Sequence, residues 1–256
     1  MASFSAVPFW FYLLAFVMTN AVEAQEPYPG GGSPISSNAA DRAEQAAKRV
    51  LPLLEPELTR LGLKRGNPVL LRAFKESAEM ELWMQAKPGV PFTLFRVYRI
   101  AAMSGELGPK LAEGDGQTPE GFYAFEARAL NPKSHYHLAF NIGYPNVYDR
   151  ANGRSGSLIM VHGSRVSIGC FAMTNDSIEQ IYSLVAAAFA SGQERIPVHC
   201  FPFRMTAERM AEALGSPWFG FWTELHPGYI SFEATRLPPK ITFRGKHYCV
   251  EAATGG

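Results

Sequence analysis

The chain has almost no excess charge: 24 Lys and Arg stand against 23 Asp and Glu, a balance of +1 over 256 residues. No polybasic field is available to neutralise a phosphate backbone, which excludes nucleic acid as an expected partner. Cysteine is scarce, and the three present, Cys170, Cys200 and Cys249, are an odd number. They cannot close a disulfide framework, and at least one thiol stays unpaired or pairs between molecules. No repeat of about 20 to 50 residues is visible, which sets aside solenoids and propellers. Beyond the N-terminal segment no apolar run approaches about 18 residues, so the remainder is expected to be soluble. What the chain does have is 47% hydrophobic residues, 12% aromatics and 19 prolines. That composition excludes wholesale disorder and favours a sheet-rich domain with many turns over a helix bundle.

Residues 1–22 carry no charged side chain, and Phe9 to Val17 form an apolar core followed by Val22-Glu23-Ala24. Small residues at the two positions a signal peptidase reads make 1–24 an expected export signal. Because no Lys or Arg precedes the core, an uncleaved membrane anchor is the alternative, and either places the working domain outside the cytoplasm. Residues 25–40 are rich in Gly, Pro and Ser and are expected to be a flexible linker. The folded domain is expected over 41–256.

From Asp41 onward, Ala43, Ala46, Ala47, Val50, Leu54, Leu58 and Leu61 follow helical spacing, with Pro52 and Pro56 expected to kink or split the helix. Short runs at 69–74, 80–85, 92–100, 122–130, 134–142, 157–162 and 196–200 read as strands, and 241–250 as a hairpin turning at Arg244-Gly245-Lys246. Between them, 104–121 is a long glycine-rich loop of the kind that often carries function. Asp176 and Glu179 have capping-box spacing before a helical stripe closed by Ser191-Gly192, and 206–214 and 218–225 read as short helices. The fold class is mainly β with helices, α+β.

The segment with most chemistry is 161–173, VHGSRVSIGCFAM. A strand ends at His162, a turn containing Gly163 and Gly169 follows, and Cys170 precedes the capped helix. A thiol becomes a good nucleophile only as thiolate, and a nearby imidazole can take its proton. Gly169 lets the backbone approach a bound carbonyl, and main-chain N–H groups around Cys170 can stabilise an oxyanion. Against this stands the simpler account in which Cys170 and His162 are core residues. Cys200 and Cys249 lie in strands and are expected to be structural, a disulfide between them being left open. His135 and His137 would share a strand face and, with His162 or His199, mimic a zinc peptidase site; no carboxylate or third ligand sits at a telling spacing, and no metal is expected. Tyr123, Tyr144 and Arg204 are candidates for lining a peptide cleft, Arg204 by pairing with a carboxylate.

The segments SGELGPKLAEGDGQTPEGFY (104–123), NPKSHYHLAFNIGYPNVYDRANGRSGSLIMVHGSRVSIGCFAMTNDSIEQIY (131–182) and VHCFPFRMT (198–206), in this order, resemble the L,D-transpeptidase catalytic-domain family (YkuD type), in its YafK-like branch. The resemblance covers about residues 60–250. It implies a compact, mainly β domain acting on peptidoglycan stem peptides in the bacterial periplasm, without a cofactor. It makes Cys170 the nucleophile, His162 its base and the Gly163 carbonyl the group that orients the imidazole, while Ser167 and Gly169 shape the turn and the oxyanion site. The commoner signature of the family has a second His two residues before the Cys and an Arg two after it; here these are Ile168 and Ala172, a change the branch shares.

The implied reaction is acyl transfer from the L-centre carbonyl of diaminopimelate through a thioester, giving a cross-link with an amine acceptor or hydrolysis with water. Detachment of a murein-bound lipoprotein is included in the latter. A zinc murein peptidase and a murein-binding domain without turnover are the competing classes.

Overall fold

The structure, a computed structural model, describes Met1 and residues 39–251. The expected export signal or anchor (1–24) and nearly all of the expected linker lie outside the described residues. Among the described residues no helix is long and apolar enough to cross a membrane.

Helix α1 (Ala39–Arg60) runs unbroken through Pro52 and Pro56, which corrects the expected split. Ala46, Val50, Leu54 and Leu58 form a buried stripe at four-residue spacing on both sides of the prolines. Burying Leu54 and Leu58, at about 1.5–3 kcal/mol each, offsets the hydrogen bonds the prolines remove. Strands β1 (Val69–Phe74), β2 (Glu79–Met84) and β3 (Thr93–Arg99) then form an antiparallel meander close to the predicted runs. Side chains alternate along β1: Val69, Leu71 and Ala73 enter the core that includes α1, whereas Phe74 joins an aromatic cluster and Leu70 a smaller one with Trp83 and Phe232.

The predicted strands at 122–130 and 134–142 are each shorter in the structure. They become β4 (Gly121–Phe125), a 3-10 turn at Ala127–Ala129, β5 (Leu130–Asn131) and β6 (Ala139–Asn141). Helix α2 (Val147–Ala151) is capped reciprocally: Asp149 N–H donates to Asn146 Oδ1 (2.8 Å) and Asn146 N–H to Asp149 Oδ2 (3.1 Å). Asn-x-x-Asp lies outside the usual Ser/Thr-x-x-Glu/Gln capping signature, which is why the sequence does not announce it.

Strand β7 (Met160–His162) pairs antiparallel with β6 and parallel with β8 (Phe171–Ala172). Helix α3 (Asn175–Ala190) follows and is capped by Thr174, whose Oγ1 accepts from Ser177 N–H (3.3 Å). The expected Asp176/Glu179 box is not used, because Glu179 is drawn instead to Arg49 and His137. Strand β9 (Ile196–Phe201) lies parallel to β1 and antiparallel to β4, giving one sheet in the order β3-β2-β1-β9-β4 and a second in the order β5-β6-β7-β8.

Helix α4 (Ala207–Glu212) is short as predicted, but α5 (Phe219–Thr235) extends ten residues beyond the predicted end at 225, through Pro227. Its buried Phe221, Trp222, Leu225 and Tyr229 cover the aromatic face of the first sheet. The hairpin of β10 (Lys240–Arg244) and β11 (His247–Glu251) closes with Arg244 opposite His247. The architecture is α+β. All three cysteines are free thiols, Cys200 fully buried and Cys249 half-buried, so no disulfide joins them.

Candidate active site

The register of β7 on β8 sets the geometry. Val161 pairs with Phe171 and His162 with Ala172. Val161 and Phe171 are completely buried on the core side, so His162 belongs to the opposite face of β7, and Cys170 stands in the bend immediately before β8. The register thus brings the two residues to adjacent strands, His162 at the end of β7 and Cys170 at the entry to β8.

The imidazole is fixed by its own turn. His162 Nδ1 lies 2.6 Å from the Gly163 carbonyl, which can only accept. Nδ1 therefore carries the proton, and Nε2 is the nitrogen with a lone pair to offer. Gly163 is required for space: a Cβ there would lie 2.7 Å from both Asn175 Oδ1 and the Tyr136 carbonyl. The turn is tied down by Gly163 N–H to the Leu138 carbonyl (3.1 Å), Ser164 N–H to Asn175 Oδ1 (2.9 Å) and Met173 N–H to the His162 carbonyl (2.8 Å). The Tyr136 ring covers His162 with centroids 4.7 Å apart.

Cys170 is half-buried. Its Sγ accepts from Met160 N–H (3.4 Å) and donates toward the Leu158 carbonyl (3.6 Å); these two groups, and not the imidazole, are its hydrogen-bond partners among the described residues. Ser167 Oγ donates to the Cys170 carbonyl (2.7 Å) and closes the turn. Gly169, at φ +95°, occupies the left-handed region that favours glycine, and a Cβ would press on the Gln117 carbonyl at 3.3 Å. Its N–H donates to Ser104 Oγ (2.7 Å), whose own proton goes to the Gly116 carbonyl (2.6 Å).

The long loop is therefore part of the site. It is ordered by two buried lysines. Lys75 Nζ donates to the carbonyls of Glu106, Gly108 and Thr118 and pairs with Glu120 at 3.1 Å. Lys110 pairs with Asp115 at 2.5 Å and donates to the Ala112 carbonyl at 2.8 Å. Burial alone would raise the Asp115 carboxyl, but hydrogen bonds from Ala112 N–H, Lys110, and the N–H groups of Gln117 and Leu111 bring it down to about 2.

Burial also raises the Cys170 thiol above its ordinary value, opposed by the Met160 N–H and the charge of Lys110. It lowers His162, opposed by the Gly163 hydrogen bond. Both directions favour the uncharged forms of the thiol and the imidazole.

The other predicted residues are placed as follows. Tyr144 lines a groove of 770 Å³ together with Leu158, Met160, Arg128, Arg150 and Arg195; its hydroxyl is shared between the carbonyls of Lys110 and Ser155, both at 3.1 Å. Tyr123 is buried, donates to the Glu120 carbonyl (3.0 Å) and lines a neighbouring groove of 390 Å³. Arg204 lies in neither groove: it bridges Glu79 (2.8 Å) and Glu81 (2.7 Å) over the Phe74 ring. The expected strand bearing His135 and His137 is a turn, with His137 at φ 73° and its Nε2 2.7 Å from Glu179 Oε1. Among the described residues no three His, Cys, Asp or Glu side chains are grouped to hold a metal ion.

Sequence reasoning does not single out Ser104, Lys110 or Tyr136. The first two stand in the loop expected to carry function, but their roles depend on partners far along the chain. Tyr136 is concealed by the strand-like alternation of Ser134 to His137.

The sequence model of the YkuD family, the L,D-transpeptidase catalytic domain, matches residues 88–199. Over 185 residues the chain is 44% identical to the putative L,D-transpeptidase YafK of Escherichia coli (strain K12), covering 72% of this chain and 74% of that protein. Among solved structures, two of the helical cell shape determining protein Pgp2 from Campylobacter jejuni are similar, with TM-scores of 0.43 and 0.39 and identities of 20% and 19%. These cover 70% and 75% of this chain and 63% and 80% of those chains.

Proposed function

The chain belongs to the family of L,D-transpeptidase catalytic domains of the YkuD type, and from that premise we propose that it is a cysteine acyltransferase working outside the cytoplasm on peptidoglycan stem peptides. Cys170 is the nucleophile and His162 its base. The observation that supports this assignment is the Nδ1 bond to the Gly163 carbonyl, which leaves Nε2 as the basic nitrogen on a strand paired with the one that Cys170 immediately precedes.

Nε2 takes the thiol proton as Sγ attacks the L-centre carbonyl carbon of a diaminopimelate residue. A C–S bond forms and the carbonyl π pair moves onto oxygen. Because the Gly169 N–H is engaged by Ser104, we assign stabilisation of that oxyanion to the main-chain N–H of Cys170 itself. Collapse of the tetrahedral intermediate breaks the C–N bond, and the leaving amine takes the proton from the imidazolium.

The thioester is then resolved by an acceptor. An amine, from a second stem or from a lysine of an envelope lipoprotein, gives a new amide and returns the thiol; water gives the stem carboxylic acid, and where the amine expelled in the first step was a lipoprotein lysine, the net result is detachment of that lipoprotein.

The test is incubation of the chain with tetrapeptide stems and with lipoprotein-linked muropeptides, followed by mass spectrometry of the products. Turnover is expected with at least one of them, abolished by Cys170→Ala and by iodoacetamide and indifferent to chelator. Loss of turnover to chelator but not to alkylation would favour a zinc peptidase, and binding without turnover a murein-binding domain.

A further inference from the structure

The two grooves share lining residues beside β4, and the larger one runs past the backbone groups that hold the sulfur, although neither Cys170 nor His162 lines it. Leu158 and Met160, which line it, supply the carbonyl and N–H that hold Cys170 Sγ. Arg150 and Arg195 line both grooves, together with Ala124, Gly143 and Pro145. A Cβ on Gly143 would lie 2.8 Å from the Ala124 carbonyl, so glycine there permits the close approach of the turn to β4.

The cations of this trough differ in how they are engaged. Arg128 pairs with Glu126 at 3.2 Å. Arg150 donates to the Pro145 carbonyl and Arg195 makes no side-chain hydrogen bond, and neither has a carboxylate partner among the described residues. Arg150 and Arg195 are exposed, whereas the buried guanidinium groups are paired, Arg72 with Glu81 and Glu233 and Arg154 with Asp149. At the position where the commoner family signature has Arg, Ala172 is fully buried in β8, so no cation reaches a substrate from there. Two exposed guanidinium groups without acidic partners among the described residues thus line a groove whose walls include Leu158 and Met160, the residues that hold Cys170 Sγ, while Glu126 of the same groove is engaged by Arg128. Guanidinium is the group best shaped for a carboxylate.

We propose that Arg150 and Arg195 form an anion subsite for the acyl donor, holding a free carboxylate of the donor peptide beside the carbonyl that Cys170 attacks. The preferred donor is thus an anionic peptide, and masking that carboxylate as an amide removes the preference. The inference rests on the acyl transfer proposed above.

The experiment uses the full chain and two synthetic tetrapeptide stems that are identical except that one carries the diaminopimelate side-chain carboxylate free and the other as carboxamide. Acylation of Cys170 is followed by intact mass. Wild type is expected to favour the free carboxylate by roughly tenfold in kcat/KM, as loss of one charged hydrogen-bonding partner implies, and the preference should shrink as salt is raised. The double variant Arg150→Gln/Arg195→Gln should lose the preference, and Arg150→Lys/Arg195→Lys should retain part of it. The iodoacetamide alkylation rate of Cys170, measured in each variant, shows whether the nucleophile is intact. Equal kcat/KM for both donors in wild type, or a preference that survives the double Gln variant, overturns the subsite while leaving acyl transfer in place. Acylation by neither donor, with alkylation normal, overturns the acyl-transfer assignment and the subsite with it.

Discussion

Replacing Ser104 by alanine tests whether the long loop is a working part of the site. The Ser104 hydroxyl accepts from Gly169 N–H at 2.7 Å and donates to the Gly116 carbonyl at 2.6 Å. Gly169 is buried and sits at φ +95°, one residue before the nucleophile. Ser104→Ala removes both bonds and leaves a buried N–H without a partner. At about 1 kcal/mol net per neutral hydrogen bond, the turn loses roughly 2 kcal/mol of support. If that support holds Cys170 in its attacking position, about 2 kcal/mol appears in the barrier, a drop in kcat of roughly 30-fold. KM should change little, because Ser104 lines neither groove. The assay is the single-turnover rate of Cys170 acylation by a stem peptide, with thermal unfolding to confirm the fold. Ser104→Thr keeps the oxygen and should restore most of the rate. A folded Ser104→Ala chain whose kcat stays within about twofold of wild type, far below the expected loss, would refute the argument that this contact positions the nucleophile.

Three further outcomes follow from the same contacts. Because burial lowers His162 below its ordinary 6.5, the imidazole remains a neutral base into mildly acidic solution; the acid limb of kcat/KM should have its midpoint below 6.5, and a midpoint above that value would contradict the burial argument. Lys110→Met removes a positive charge that lowers the Cys170 thiol, so the pH profile of iodoacetamide alkylation should shift to higher pH; an unmoved profile would show that this charge is not felt at the sulfur. Glu179→Gln weakens the charged bonds from Arg49 (2.6 Å) and His137 (2.7 Å) that join α1 and the 134–137 turn to α3. Since Arg49 is half-exposed, about 1–2 kcal/mol is expected, which for a domain of this size lowers Tm by roughly 2 to 8 °C; an unchanged Tm would show that the bonds contribute nothing net.

How much of this is legible in the sequence depends on the range of the interaction. Strand β1 is legible because five of the six residues of VLLRAF are apolar and turn residues bound it, and α3 because Ile178, Ile181, Tyr182 and Val185 repeat at helical spacing. What the pattern cannot carry is Arg72, which sits inside that apolar strand. It is accommodated by Glu81, by Glu233 at 161 positions' separation, and by the rings of Phe74, Phe201, Tyr229 and Phe232 around its guanidinium. Strand β8 is two residues long, too short for any period, yet its pairing with β7 brings the segment of Cys170 beside that of His162. The role of the Gly163 carbonyl is legible only through family resemblance; the crowding of Asn175 and Tyr136 about Gly163 then explains why a side chain is not accommodated there. Ser104 reaches Gly169 across 65 residues, and Arg128, Arg150 and Arg195 come from three separate segments. No local pattern can assemble either set.

The most direct test of the account is to trap the acyl-enzyme. Wild-type chain mixed with a tetrapeptide stem and quenched in acid should show the mass of a thioester, mapped by peptide digestion to Cys170; it should be absent in Cys170→Ala and form far more slowly in His162→Gln. Turnover of the same stem by Cys170→Ala, or an adduct on Cys200 or Cys249 in its place, would contradict it.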